Sequence, residues 1–176
     1  QYKLFVKDLG TGSVEGPLAE RVTSVAWAAD NQTVFYVTEH PVTKRPDTLW
    51  RLEIGGSAVK VYEEKDERFS IGVGRTKDRA FVALEVGSTD TWERRLLPAA
   101  QAAGEFRTVL PREKGHKYDV EHRDGTLFIR TNKDAKNFRL VTAPAAPHRV
   151  AASLMLNRSL MYAVPRPIAS ASCSSP

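Results

Sequence analysis

SVAWAADNQTVFYVTEH, from Ser24 to His40, is a short apolar run, a polar turn at Asp30-Asn31, and a second run rich in β-branched and aromatic residues. That is the pattern of two strands joined by a tight hairpin. It recurs twice, as SIGVGRTKDRAFVALEVGS from Ser70 and as YDVEHRDGTLFIRTN from Tyr118. Each copy has an aromatic near the start of its second strand, and Phe35, Phe81 and Phe128 lie 46 and 47 residues apart. A period in the forties with about four short strands per unit is the mark of a β-propeller blade. A blade cannot bury both of its faces alone, and propellers carry about four to eight of them. This chain has room for about three.

The remaining strands are read outward from these hairpins. Tyr2 to Leu9 alternates imperfectly and reads as the third strand of a blade, followed by the turn Gly10-Thr11-Gly12 and a polar loop through Gly16-Pro17. In the first full blade, SVAW is the inner strand, TVFYVT the second, TLWRLEI the third and AVKVYEE the fourth; HPVTKRPD is a loop whose two prolines bar a central strand. The second blade follows the same plan with SIGVG, AFVALEV, TWERRLL and FRTVLP. The third begins at Lys117, turns at Asp124-Gly125 and continues through TLFIRTN and NFRLVTA. The expectation is an all-β chain: a partial β-propeller of two to three four-stranded antiparallel blades over residues 1–144.

From residue 145 the composition changes. The last 32 residues are rich in Ala, Ser and Pro and hold three arginines (Arg149, Arg158 and Arg166) with no acid. An irregular or short-helical tail is expected over 145–176, with Val150 to Val164 as the helical stretch and disorder after it. Such a break is what a truncated or frame-shifted gene would leave, and the opening on Gln1 inside a strand-like run suggests a piece of something longer.

The formal charge of +5 is modest once divided, because the tail carries three of those charges. The rest is a mixed surface without the basic stripe that a phosphate backbone demands. No nucleic-acid partner is expected. No run approaches the roughly 18 apolar residues of a membrane helix, and no leader peptide is visible. With the single cysteine, Cys173, the fold does not rely on an internal disulfide. A cytoplasmic location without a membrane partner is the expectation. The acceptor patterns at Asn31-Gln32-Thr33 and Asn157-Arg158-Ser159 are read as chance matches.

Four constellations hold residue types that could carry chemistry. His116, Asp119 and His122 crowd together, but on a strand Asp119 would point away from both histidines, and the spacing fits no short zinc motif. Gly72-Val73-Gly74 lacks the third glycine and the following helix of a dinucleotide fingerprint, and is read as an inner strand where blade backbones crowd. Trp27, Trp50 and Trp92 lie on different strands and are read as packing aromatics rather than a stacking platform. Glu63-Glu64-Lys65-Asp66-Glu67-Arg68 is read as a solvated charged loop. No catalytic, cofactor-binding or metal-binding residue and no cofactor is therefore assigned.

The run TNKDAKNFRL, Thr131 to Leu140, closely resembles a motif of the propeller domain in the prolyl oligopeptidase family of serine peptidases. VAWAADNQTVFYVT, KVYEEKDERF, IGVGRTKDRAF and EKGHKYDVEHRDGTLFIRTN are similar to the oligopeptidase B branch, and the resemblance covers about Tyr2 to Pro144. It implies a propeller that caps an α/β-hydrolase domain, limits access to short peptides, and serves an endopeptidase that cleaves after Lys or Arg. No G-x-S-x-G nucleophile elbow occurs in this sequence, so the chain is expected to be inactive by itself. In the motif, Asp134 and Asn137 suit a turn, while Phe138 and Leu140 are expected to face the blade core. The alternative is a free-standing module that binds a partner or self-associates through its open blade edges. A WD-type scaffold lacks its Gly-His and Trp-Asp signatures here.

Overall fold

The computed structural model describes residues 1–145, and the expected tail helix lies outside them. Twelve strands follow in order: β1 (Tyr2–Lys7), β2 (Val14–Trp27), β3 (Thr33–Glu39), β4 (Pro46–Glu53), β5 (Val59–Glu63), β6 (Ser70–Arg75), β7 (Phe81–Gly87), β8 (Trp92–Pro98), β9 (Arg107–Thr108), β10 (Tyr118–Arg123), β11 (Thr126–Thr131) and β12 (Arg139–Pro144). They form three antiparallel sheets, β1-β2-β3-β4-β5, β6-β7-β8-β9 and β10-β11-β12. No helix occurs among the described residues. The all-β, partial-propeller expectation holds.

The turns follow from their residues. Asp30 Oδ1 accepts hydrogen bonds from the Gln32 and Thr33 amides, and Asn31 takes the left-handed conformation at φ 56°. Asp124 and Gly125, at φ 49° and 74°, make the two-residue turn between β10 and β11, whose twist suits a hairpin. Asp78 ties the β6–β7 turn through the Ala80 amide and the Thr76 hydroxyl.

Three strands differ from expectation. β4 begins at Pro46, so Pro46 and Asp47 of the expected HPVTKRPD loop belong to it; the proline is tolerated as the first residue, paired only toward Glu39 of β3. β2 is 14 residues long and serves two blades. Its first half pairs with β1, its second half with β3, and Arg21 at φ 57° marks the joint. The expected polar loop at Gly16-Pro17 is thus the fourth strand of the leading blade, with β1 as its third. β9, expected as FRTVLP, keeps only two residues in the ladder, and Val109 and Leu110 turn inward instead.

The core lies between the sheets. On β7, Val82, Leu84 and Val86 face the first blade, where they meet Phe35 and Val37, with Ile71 and Val73 of the neighbouring strand β6 in the same cluster. Phe81 and Ala83 on the opposite face pack toward the third blade, against Tyr118, Leu127 and Ile129. Alternation of period two therefore places apolar side chains on both faces of β3 and β7, and each face needs a neighbour. The repeat phenylalanine is the side chain aimed at the next blade. Phe35 is 1% exposed and meets Phe106 edge-on at 5.5 Å; Phe81 is half-buried; Phe128, on the last sheet, is 37% exposed.

Equivalent substitutions should therefore have unequal cost. Phe35→Ala should destabilise the chain by about 3–4 kcal/mol, and Phe128→Ala by less than about 1 kcal/mol. Urea unfolding midpoints of the two variants read the difference; equal losses would show that Phe128 is covered.

Candidate functional site

The described chain concentrates its chemistry in the seams between blades. At the seam between the first and second blades, Glu64 sits in the linker after β5 and is 5% exposed. Its carboxylate accepts hydrogen bonds from Arg112 at 2.6 Å, the Tyr62 hydroxyl at 2.7 Å and the Asp66 amide at 2.9 Å. Its carbonyl accepts one from Arg45, whose other guanidinium nitrogen reaches the Phe69 carbonyl at 2.7 Å. Glu93, on β8 and also buried, binds Arg95 at 2.6 Å and lies 3.5 Å from Arg112. The Arg112 guanidinium covers the Phe69 ring at 4.0 Å, and Arg95 covers Tyr62 at 4.5 Å.

Burial alone would raise the Glu64 carboxyl, but the bonds from Arg112, the Asp66 amide and Tyr62 outweigh it and hold it below the usual carboxylate range. Burial tends to lower Arg112, yet Glu64 and Glu93 raise it above its ordinary value. Within the run Glu63 to Arg68, the solvated-loop expectation thus fails at Glu64. The charges around it do face water, and the exposed Asp66–Arg68 pair is one of them. Glu64 turns inward because its partner is supplied 48 residues later.

The seam between the second and third blades is built around Tyr118. Its buried hydroxyl donates to the Leu110 carbonyl at 2.7 Å and accepts from the Arg94 and Leu110 amides. Burial pushes this phenol up to about 12. Arg94 pairs with Asp119 at 3.0 Å, and Asp119 also takes Arg130 at 2.6 Å. An open cleft of about 190 Å³ runs along this seam, with Arg75, Glu85, Arg94, Asp119 and Glu121 among its walls.

The structure separates the residues that the sequence placed together. His116 is buried, exchanges a hydrogen bond with the Thr131 hydroxyl at 2.7 Å and stacks on Tyr118. Burial holds its imidazole below the ordinary range. Asp119 points to the two arginines. His122 crosses to Asp78 of the second blade at 2.5 Å and accepts the Gly125 amide with its other ring nitrogen. His40 accepts the Val42 and Thr43 amides in its own loop. All three described histidines thus hold structural partners. Of the glycines, Gly72 has only the Ser24 side-chain oxygen, 4.0 Å from where a Cβ would stand, and at Gly74 that space is open, so backbone crowding explains neither glycine. Trp50 donates to Thr38, and Trp92 carries Arg94 and Lys117 against its ring.

The motif Thr131 to Leu140 differs from expectation at its end. Asp134 occupies the turn at φ 50°, as its residue type suggests. Phe138, expected in the core, adopts φ 62° and lies half-buried beneath Arg130 at 4.6 Å. Leu140 is 61% exposed. Leu140 is on β12 and Phe138 in the turn just before it, at the last sheet, where no described neighbour follows.

The described chain thus presents a packed wall held by charge clasps rather than a nucleophile beside a base. A family model described as the prolyl oligopeptidase N-terminal β-propeller domain matches residues 1–154. Dipeptidyl aminopeptidase BI of Pseudoxanthomonas mexicana is 38% identical over 152 residues, covering 82% of this chain and 20% of that protein. Protease 2 of Moraxella lacunata is 31% identical over 155 residues, covering 82% of this chain and 22% of its own length. Oligopeptidase B from Leishmania major superposes with a TM-score of 0.63 at 32% identity, over 69% of this chain and 18% of that one. The chain spans about a fifth of the length of these relatives.

The Glu64 clasp should govern the acid limb of stability. A carboxyl held below its unfolded value of 4.5 contributes stability above that value and loses it as pH falls through the depressed one. Glu64→Gln should cost about 2 kcal/mol at pH 7, less than a fully buried pair because Arg112 is partly exposed. The gap between variant and parent in urea midpoint should close as pH drops below 4.5. A gap that stays constant down to pH 3 would remove Glu64 from the acid response.

Proposed function

The chain belongs to the prolyl oligopeptidase family, through that family's N-terminal β-propeller domain, and on that premise we propose that it is a segment of the gating propeller of an oligopeptidase B-like serine endopeptidase. The intact enzyme cleaves short peptides after Lys or Arg by acyl transfer through a Ser-His-Asp triad carried on an α/β-hydrolase domain. This segment supplies part of the wall that limits access and performs no hydrolysis itself.

The observation that carries the reading is the match over residues 1–154 together with the use of His40, His116 and His122 as structural ligands. Acyl transfer needs a base free to take a proton from a nucleophile. His122 spends both ring nitrogens, on Asp78 and on the Gly125 amide. Similarity at 32–34% identity to oligopeptidase B of Leishmania major and Trypanosoma brucei, against 15% to a prolyl endopeptidase structure, supports that branch over the prolyl endopeptidases.

A second reading is favoured by one feature. Tyr2 and Phe5 on β1 are exposed at one end of the stack, and Phe128 and Leu140 at the other. β1 and β12 also leave one edge each without a strand partner among the described residues. Such edges pair readily with another chain, so the segment would act as a self-associating module.

The purified chain should release no product from a fluorogenic arginyl or lysyl amide. Turnover that survives purification and disappears on substituting one of its serines would contradict the proposal. Analytical ultracentrifugation of the same sample separates the second reading: a single defined oligomer supports a module, and a monomer removes it.

A further inference from the structure

The two seams are closed by different chemistry at their two rims. Strand direction assigns the rims. One carries the β2–β3, β6–β7 and β10–β11 turns; the other carries the β3–β4 and β7–β8 turns and the linkers between blades. At the first seam, the hairpin rim is pinned by uncharged main chain, with the Ala29 amide donating to the Ala99 carbonyl at 2.8 Å. The Arg51 guanidinium adds a bond to the Ala102 carbonyl at 3.3 Å. The linker rim of that seam is closed by carboxylates and guanidiniums: Glu64, Glu93, Arg45, Arg95 and Arg112.

At the second seam the arrangement is reversed. The linker rim is pinned by main-chain groups, the Trp92 amide donating to the His116 carbonyl at 2.9 Å and the Gly115 amide to the Thr91 hydroxyl at 3.0 Å, with the Arg94–Asp119 pair just inside them. The hairpin rim is closed by side-chain charge, with His122 on Asp78 at 2.5 Å and the Lys77 amide on the Glu121 carboxylate at 3.0 Å.

We propose that these are two clasps on opposite rims, so that releasing either one tilts the second blade about the main-chain pin of the same seam instead of parting the seam. Releasing the Glu64–Arg112 clasp opens the first seam at the linker rim. Releasing the Asp78–His122 clasp opens the second at the hairpin rim. Because the hinges stand at opposite rims, the two tilts cancel in direction, and a stack that loosens at both seams folds in a zigzag and keeps its axis. A wall built this way widens its seams without uncoiling. The inference rests on the seam geometry and stands apart from the peptidase reading.

Hydrogen exchange on the full chain, resolved to single amides, tests it. In Glu64→Gln and Arg112→Gln, amides at the linker rim, Asp66 and Phe69 among them, should exchange about tenfold faster, while Ala29 keeps its parent rate. In Asp78→Asn, amides at the hairpin rim, Lys77 and Ala80 among them, should speed up by a similar factor while Trp92 does not. Faster exchange at Ala29 or Trp92 to the same extent would mean that the seams part as units, and unchanged exchange at the clasped rims would mean that the charges hold nothing. Complete unfolding of both Glu64→Gln and Arg112→Gln would likewise overturn the idea, because a rim clasp is dispensable for the fold.

Discussion

The middle strands β3 and β7 carry apolar side chains on both faces, so neither blade can bury itself. Val82, Leu84 and Val86 face backward into the first blade while Phe81 and Ala83 face forward into the third. A sheet of this kind is stable only inside a stack. The spacing of the phenylalanines follows from that requirement, since each repeat must present one large side chain to its successor. Phe35 is sealed by the second blade, Phe81 is half-covered by the third, and Phe128 stands on a face with no described neighbour.

Stacked sheets leave a second problem at the rims, where strands end and main chain turns between blades. There the chain places charge, and buried charge is costly unless paired. Glu64 and Glu93 are tolerated because Arg112 and Arg95 reach them while their flat guanidiniums cover Phe69 and Tyr62. One side chain from the linker after the second blade thereby holds the linker before it. Tyr118 solves the same problem at the next seam with a single hydroxyl that serves three main-chain groups.

Much of this was legible in the sequence, because strand alternation and turn chemistry are local. Asp30-Asn31 and Asp124-Gly125 announce the hairpins between β2 and β3 and between β10 and β11. The long-range pairings were hidden. Gly16-Pro17 reads as a loop because glycine and proline usually interrupt strands, yet here they lie in an outer strand paired on one edge with β1. Glu64 looks solvated among five other charged residues, since nothing nearby announces Arg112. The His116, Asp119 and His122 group dissolved for a similar reason: each finds its partner in a different strand or blade. Phe138 and Leu140 alternate like core residues, and whether such a face is covered depends on a neighbour that the local pattern does not reveal.

Hydroxyl-radical footprinting of the intact chain reads all three repeats at once. Oxidation at the repeat phenylalanines should rise in chain order, with Phe35 nearly untouched, Phe81 intermediate and Phe128 the most modified. Equal modification of the three, or protection of Phe128 together with exposure of Phe35, would contradict a directional stack in which each blade is sealed by the one that follows.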